Sequence, residues 1–121
     1  MSVKVDLDQL VATLDDYAFG YLITVSDDHR AHTVAVDPVL RNGVFGVGGV
    51  GNSTRRNASA HPHVTMVWPP NKPGGYSLII DGLAEFIADQ LQVTPQHAVL
   101  HRPAVPGVPT ASGCGDDCVP L

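Results

Sequence analysis

Residues 46–57 read Gly-Val-Gly-Gly-Val-Gly-Asn-Ser-Thr-Arg-Arg-Asn, and this stretch decides the fold and the site predicted for the chain. An apolar segment ends here in a glycine-rich turn, followed by hydroxyl side chains and two arginines at the predicted start of a helix. Glycines let backbone amides approach an anion, and the first turn of a helix presents free N–H groups. Arginine adds charged donors in a fork-shaped arrangement. The stretch therefore predicts a phosphate-binding site formed by Ser53, Thr54, Arg55 and Arg56.

Two other interpretations of this stretch were open. Its first six residues match the dinucleotide-binding motif G-x-G-x-x-G, which needs a longer crossover helix and an acidic residue about 20 positions on. Pro62 ends the helix early, and no acidic residue occurs between Asp37 and Asp81, so this motif fails in its context. A glycine-rich turn that binds nothing is the second alternative, and the arginine pair directly after the hydroxyls argues against it.

Composition limits the class of protein. The chain has 121 residues, of which 44% are apolar and 16% charged, which predicts one small globular domain with a modest core that dimerisation would help. Its net charge of −5 argues against a general nucleic-acid or anionic-membrane surface. The sequence carries neither an N-terminal apolar export signal nor a long apolar run. We therefore expect a soluble, cytoplasmic protein.

Local patterns predict a mainly β protein with two short helices. Apolar residues at helical spacing from Leu7 to Leu14, with the capping-box pair Asp6 and Gln9, predict an N-terminal helix. Asn42-Gly43 predicts a hairpin and Asp81-Gly82 a bulge. The predicted strands span residues 18–25, 31–40, 44–47, 63–68, 76–87 and 91–100, and the second helix spans 53–60. These elements predict a six-stranded antiparallel barrel over residues 1–102, followed by a Pro/Gly-rich tail over 103–121.

Three segments carry a resemblance to a known family. The runs STRRNASAHPHVTMVWPP (53–70), RNGVFGVGG (41–49) and SLIIDGLAEF (77–86) resemble the pyridoxamine 5′-phosphate oxidase-like superfamily of flavin-binding split barrels, in a small actinobacterial-type form. The resemblance extends from about residue 7 to 102 and implies a split-barrel homodimer. It also implies FMN, or the deazaflavin coenzyme F420, in a groove between the subunits. In that family a hydroxyl and basic residues after the third strand hold the flavin phosphate, a pattern matched by Ser53, Thr54, Arg55 and Arg56.

The sequence departs from true pyridoxamine phosphate oxidases in two places. Their second strand carries an Arg and a Lys, whereas this strand reads HTVAVDP (32–38), and their basic C-terminal segment is replaced by CGDDCVPL (114–121). We therefore expect a flavin-dependent oxidoreductase that passes hydride to or from another small organic molecule. FMN is favoured over the deazaflavin, whose long anionic tail suits a broader basic groove. A non-catalytic carrier or sensor of flavin or deazaflavin is the alternative.

Each of the remaining candidate site residues could instead have a purely structural role. Thr33, Val34 and Ala35 face the flavin ring with their backbone if the resemblance holds, or else form ordinary barrel wall. Trp68 borders the ring or belongs to the core or an interface. Cys114 and Cys118, four positions apart, could bind a metal together with a histidine such as His97 or His101, but a tail disulfide or two free thiols fits their spacing better. No metal site is predicted.

Overall fold

The computed structural model describes residues 1–104, which form one eight-stranded antiparallel sheet and two short helical segments. In spatial order the strands run β3-β2-β6-β7-β8-β5-β4, and β1 pairs with β8. A 3₁₀ turn at Leu7–Gln9 leads into helix α1 at Leu10–Leu14, and helix α2 spans Asn52–Ala60. The strands are β1 Ser2–Lys4, β2 Gly20–Val25, β3 Ala31–Val36, β4 Val39–Arg41, β5 Val44–Val47, β6 His63–Trp68, β7 Ser77–Ile87 and β8 Gln90–His101.

The connection between β3 and β4 forces the sheet to curl. These two strands lie at opposite ends of the strand order, yet only Asp37 and Pro38 separate them in the chain. The three steps from Val36 to Val39 span at most about 11 Å, so the two edges of the sheet must meet at this connection. The predicted mainly β, antiparallel split barrel is thereby confirmed.

The strand count differs from the prediction, because the described residues contain eight strands rather than six. Pro38 lacks a backbone N–H and interrupts the predicted strand 31–40, which becomes β3 and β4. The other additional strand is β1, whose residues Ser2–Lys4 pair with His101–Val99 of β8. Its three residues are too few to give a periodic pattern, so sequence alone did not predict it.

The core lies inside the curled sheet and follows the predicted alternation. Val64, Met66 and Trp68 of β6 are buried, and the ring centroids of Trp68 and Phe45 are 5.5 Å apart. Asn42 and Gly43 both have positive φ, which confirms the predicted hairpin turn. The register shift in the β7–β8 pair falls between Asp81 and Gly82, which confirms the predicted bulge.

The N-terminal helix is shorter than predicted and its cap is absent. Leu10 is buried and Leu14 packs against the core, but Leu7 and Val11 remain 42% and 69% exposed. Asp6 makes no side-chain capping hydrogen bond, so the predicted capping box does not form. Half of the apolar stripe that predicted this helix is therefore not covered by the described part of the chain.

Residues 1–104 include no helix that is both long enough and apolar enough to cross a membrane. Nearly all of the predicted tail, with Cys114 and Cys118, lies outside the described residues.

Candidate functional site

The glycine-rich segment connects β5 to the N-terminus of α2, as predicted. Gly49 has a φ of +70°, and Gly51 is the extended N-cap residue of the helix. No side chain caps this helix end, and its first turn carries no acidic residue. The first N–H groups of α2 therefore point outward without a side-chain acceptor, which is the arrangement that binds anions at helix N-termini.

Two side-chain contacts hold α2 against the barrel. Asn57 Nδ2 donates to Thr24 Oγ1 of β2 at 3.2 Å, and both residues are buried. At the C-terminal end of the helix, His61 Nε2 lies 2.8 Å from Asp27 Oδ1 in the β2–β3 turn. These contacts position the helix, and with it the orientation of its N-terminus.

Ser53 and Thr54 lie on different faces of α2. Thr54 is 1% exposed and shares the inward face with Asn57 and Ala58, whereas Ser53 is half-buried. In the described residues the Thr54 hydroxyl has no hydrogen-bond partner. The Thr54 side chain thus faces the barrel, and only its backbone N–H points toward the helix end.

Arg55 is engaged by the β7–β8 hairpin. Its guanidinium lies 4.8 Å from the centre of the Phe86 ring, its Nη2 donates to the Asp89 carbonyl oxygen at 3.3 Å, and its Nη1 is 3.6 Å from Asp89 Oδ1. Asp89 and Ala88 form the two-residue hairpin turn, both with positive φ. Sequence analysis missed Asp89 as a partner of Arg55, because 34 residues separate them.

Arg56 is the second predicted guanidinium, and it is exposed. Within residues 1–104 its side chain makes no hydrogen bond or ion pair. An exposed cation next to an uncapped helix N-terminus can bind an anion without first breaking another contact. The candidate donors within the first five residues of α2 are therefore Ser53, Arg56 and the first-turn N–H groups, whereas Arg55 is paired with Asp89.

Thr33, Val34 and Ala35 lie on β3, which is an edge strand of the sheet. They pair on one side only, with Ile23, Leu22 and Tyr21 of β2. The side chains of Thr33 and Ala35 are exposed, and Val34 packs against the core. The free edge of β3 can hydrogen-bond a ligand or another chain through its backbone.

Trp68 is 3% exposed and packs in the core beside Phe45. It lines a groove of about 280 Å³ near α1 together with Tyr17 and Pro38. Burial raises the pKa of Tyr17, and the Asp16 carboxylate adds to that effect. The structure does not bring Trp68 into one cavity with the α2 residues.

A larger groove, of about 550 Å³, lies on the outer face of β4, β5 and β8. We call it the glycine groove, because Gly46 and Gly48 lie in it. Its lining is otherwise mostly polar, and none of the predicted site residues contributes to it. The lining comprises Asp37, Val39, Arg41, Asn42, Val44, Gly46, Gly48, Gln90 and Gln92. Gly46 on β5 and Gly48 just beyond the end of that strand, two positions apart, were the sequence signal for it.

A polar row crosses the outer surface of the barrel elsewhere. Thr65 Oγ1 donates to Asp81 Oδ1 at 2.7 Å, and His97 Nδ1 is 3.7 Å from Asp81 Oδ2. His97 and His101 lie on strand β8, where four residues span about 13 Å, too far for both to bind one ion. Residues 1–104 contain no group of three metal-ligating side chains placed to hold a metal ion.

Two mycobacterial relatives match nearly the whole chain. Proteins from Mycobacterium bovis and Mycobacterium tuberculosis, both named as uncharacterized, are each 48% identical to this chain, and the match covers 96% of it and 94% of each relative. No protein-family model matches the chain.

Solved structures share the fold at low sequence identity. One is a Listeria innocua protein provisionally named a pyridoxamine 5′-phosphate oxidase, with a TM-score of 0.66 and 18% identity over 78% of this chain and 96% of its own. A second is the FAD-binding protein of Mycobacterium smegmatis, with a TM-score of 0.64 and 17% identity over 83% and 97%. A third, named F420 reductase, has a TM-score of 0.56 and 20% identity over 71% and 90%. The chain therefore belongs to one family with the two mycobacterial relatives, and it shares the split-barrel fold of these solved structures.

Proposed function

We propose that this protein binds a flavin phosphate, FMN by preference, at the N-terminus of α2 and acts as an oxidoreductase on a small organic molecule. The observation that carries the proposal is the uncapped start of α2, surrounded by donors and free of acidic residues in its first turn. A phosphate dianion needs donors only, and this helix end offers backbone, hydroxyl and guanidinium donors together. Fold neighbours named as FAD-binding and F420 reductase proteins support a flavin-type cofactor.

The residues divide into three roles in this proposal. The phosphate is held by Ser53, Arg56 and the first N–H groups of α2, including that of Thr54. Arg55 joins these donors when its ion pair with Asp89 breaks. The edge of β3 at Thr33, Val34 and Ala35 offers backbone groups to the ring. Trp68 is a core residue in this proposal, and it supports the barrel wall. A bound flavin supplies reversible hydride or electron transfer, and the protein supplies binding and orientation.

A homodimer is part of the proposal. The outer face of β2, β6 and β7 carries an apolar row formed by Tyr21, Val67 and Ile79, which pair across neighbouring strands. Tyr21 is exposed, and Phe19 stacks edge-on against it at 5.5 Å. Exposed apolar patches of this kind mark protein interfaces. We propose that a second copy covers this face.

Three finer points remain predictions. The deazaflavin F420 is the alternative cofactor, and FMN is preferred because basic residues near α2 are few. A carrier or sensor that binds flavin without turnover is the alternative function, and the cytoplasmic location is likewise a prediction. The absorption spectrum of the freshly purified protein distinguishes flavin from deazaflavin, and reduction by a nicotinamide or deazaflavin donor followed by reoxidation distinguishes enzyme from carrier.

The phosphate site is tested by comparing FMN with riboflavin in calorimetry. We expect FMN to bind at least about tenfold more tightly, because charge-assisted contacts to the phosphate are lost with riboflavin. Arg56→Ala should remove most of that preference. Arg30→Ala, which deletes an exposed guanidinium in the β2–β3 turn, is the matched control and should leave it unchanged. Equal affinities of the parent protein for FMN and riboflavin would refute the site.

A further inference from the structure

Two grooves lie next to each other on the side of the barrel that carries α1, and Tyr17 lines both of them. One, of about 280 Å³, lies against the loop between β6 and β7, and its lining includes Tyr17, Pro70 and Tyr76. The other, also of about 280 Å³, is the groove beside α1, whose lining includes Val11 and Val39. We call the pair the tyrosine grooves.

The groove beside α1 has an apolar lining that residues 1–104 leave uncovered. Val11 is 69% exposed and Val39 is 51% exposed. Between them the lining continues through Pro38 and the edge of Trp68. A cluster of exposed apolar side chains on a folded domain marks a surface that another segment or molecule covers.

The groove at the β6–β7 loop is formed before anything binds in it. The Tyr17 hydroxyl donates to the Tyr76 carbonyl oxygen at 2.8 Å, and Asn71 Nδ2 donates to the Asp16 carbonyl oxygen. These two hydrogen bonds tie the loop to the segment that follows α1. They hold the two tyrosines of the lining in place, so little entropy is lost when the groove is filled.

The chain leaves the barrel beside the same groove. Ser77, the first residue of β7, pairs with His101, the last residue of β8. The next residue, Arg102, places its guanidinium 4.5 Å from the centre of the Tyr76 ring. Its backbone N–H donates to the Met1 carbonyl oxygen at 3.1 Å, which fixes the exit point. The segment from residue 103 onward therefore starts next to the tyrosine grooves.

This segment has a proline at every third position. Residues 103–109 read Pro-Ala-Val-Pro-Gly-Val-Pro, so Pro103, Pro106 and Pro109 are spaced three apart, as are Val105 and Val108. A polyproline II helix has three residues per turn, so this spacing is typical of a segment with prolines along one face. Such segments bind in grooves lined by aromatic side chains. At about 3.1 Å per residue, residues 103–109 span about 19 Å.

We propose that residues 103–109 dock onto the tyrosine grooves of their own chain as an extended, proline-rich segment. The prolines pack on the rings of Tyr76 and Tyr17, and the end of the segment covers Val11 and Val39. Attachment at residue 102 gives the segment a high effective concentration at the grooves. The fixed φ of proline lowers the entropy lost on docking. No residue of α2 takes part, so the docking is independent of the cofactor proposed above.

The test locates the segment in the full chain by paramagnetic broadening of amide signals in NMR spectra. Cys114→Ser and Cys118→Ser remove both native thiols, and Thr110→Cys then carries a nitroxide directly after the segment. We expect the amide signals around Val39, in the groove beside α1, to lose most of their intensity. Signals around Asp28 should keep theirs, because the β2–β3 turn lies at the far end of β2 from this groove.

Matched variants test the contacts. Val11→Asp puts a carboxylate in the groove and should restore the intensity around Val39, whereas Thr94→Asp adds the same charge on exposed β8 and should not. The double variant Pro106→Gly, Pro109→Gly should also restore intensity. Pro120→Gly, which lies outside the three-residue spacing, is its control. The proline variants leave the sequence of the barrel unchanged, so they remain informative if Val11→Asp fails to fold.

A mixed sample distinguishes docking within a chain from docking between chains. It contains isotope-labelled chains without nitroxide and unlabelled chains that carry it. Broadening around Val39 in the singly prepared protein, and none in the mixture, would support the proposal. Broadening in the mixture would assign the segment to a second copy and overturn it. Full intensity around Val39 in the singly prepared protein, or broadening that the double proline variant leaves unchanged, would also overturn it.

Discussion

Arg55 Nη1 lies 3.6 Å from Asp89 Oδ1, so a guanidinium predicted to bind phosphate is already paired with a carboxylate of the β7–β8 hairpin. Asp89 is almost fully exposed, and exposed ion pairs contribute only about 0.2–1 kcal/mol. A phosphate dianion can therefore displace the carboxylate at small cost. The Arg55–Asp89 ion pair therefore opposes phosphate binding only weakly.

Replacing Asp89 with Asn should strengthen FMN binding. The substitution keeps the turn geometry, since Asn tolerates positive φ, and removes the competing negative charge. We expect FMN affinity to rise about two- to fivefold, with riboflavin affinity unchanged, in calorimetric titrations. Asp28→Asn, which removes a carboxylate in the β2–β3 turn, is the control. An FMN affinity that stays at the parent value would mean that Arg55 is a structural link and not a phosphate ligand.

Asn57→Ala should destabilise the protein. The change removes the donor to Thr24 Oγ1 in a buried setting and leaves that hydroxyl without its partner. We expect the free energy of unfolding, measured in urea, to fall by about 1–3 kcal/mol. The double variant Thr24→Val, Asn57→Ala should lose less than the sum of the single changes, because the unpaired hydroxyl is then gone. Strictly additive losses in the free energy of unfolding would contradict an energetic coupling between Thr24 and Asn57.

Alanine should be costly at Gly82 and close to neutral at Gly48. A Cβ at Gly82 would lie 2.6 Å from Val93 Cγ1 and 2.7 Å from the Thr94 carbonyl oxygen, whereas a Cβ at Gly48 meets open space. We expect Gly82→Ala to lower the free energy of unfolding by about 2 kcal/mol or more. Gly48→Ala should change it by no more than about 1 kcal/mol, because only backbone entropy is affected. A loss at Gly82 as small as the change at Gly48 would show that the β7–β8 bulge is not crowded.

Stability should fall at alkaline pH through Tyr17. The pKa of its phenol is raised above 10.0 by burial and by the Asp16 carboxylate, and its hydroxyl donates to the Tyr76 carbonyl oxygen at 2.8 Å. Below pH 10.0 the phenol is protonated in both folded and unfolded chains, so the full contribution is present. As the pH rises further, only the unfolded chain releases the proton, and stability is lost.

The Tyr17→Phe variant isolates this effect. Urea unfolding between about pH 9 and 11 should show a smaller decline in the variant than in the parent, because the other tyrosines are common to both. Parallel curves would exclude Tyr17 as the cause.

Val67→Glu should disrupt the proposed dimer. Val67 lies at the centre of the apolar row between Tyr21 and Ile79, where a buried carboxylate would be costly. Light scattering after size-exclusion chromatography should report a dimer for the parent and a monomer for the variant. Thr94→Glu introduces the same charge elsewhere on the outer surface and should remain dimeric. A monomeric parent would contradict the proposal directly.

Sequence patterns predicted most of the fold because its signals are local. The alternation of Val64, Met66 and Trp68, the Asn42-Gly43 turn and the Asp81-Gly82 bulge each depend on neighbouring residues, and all three were confirmed. The strand count was not predictable, since β1 is too short for a pattern and its pairing with β8 is determined by contacts about 100 residues apart.

The candidate site was harder to predict than the fold. Glycines, hydroxyls and arginines identified the start of α2, but sequence could not place Thr54 on the inward face or pair Arg55 with Asp89. Those outcomes depend on which face of a nine-residue helix packs on β2 and β7. The glycine groove likewise depends on β4, β5 and β8 becoming neighbours, which no local pattern reports.

Asp37 and Pro38 connect β3 to β4, so a ligand bound beside them would restrain both edge strands of the sheet. A molecule in the glycine groove touches Asp37, where the last residues of β3 pass over to β4, and also touches β8. It would therefore contact the β3–β4 connection together with the edge strand β4 and its neighbours β5 and β8. Occupancy should slow hydrogen exchange in β3 and β4 more than in the central strands, since those edges have the fewest partners in the empty protein.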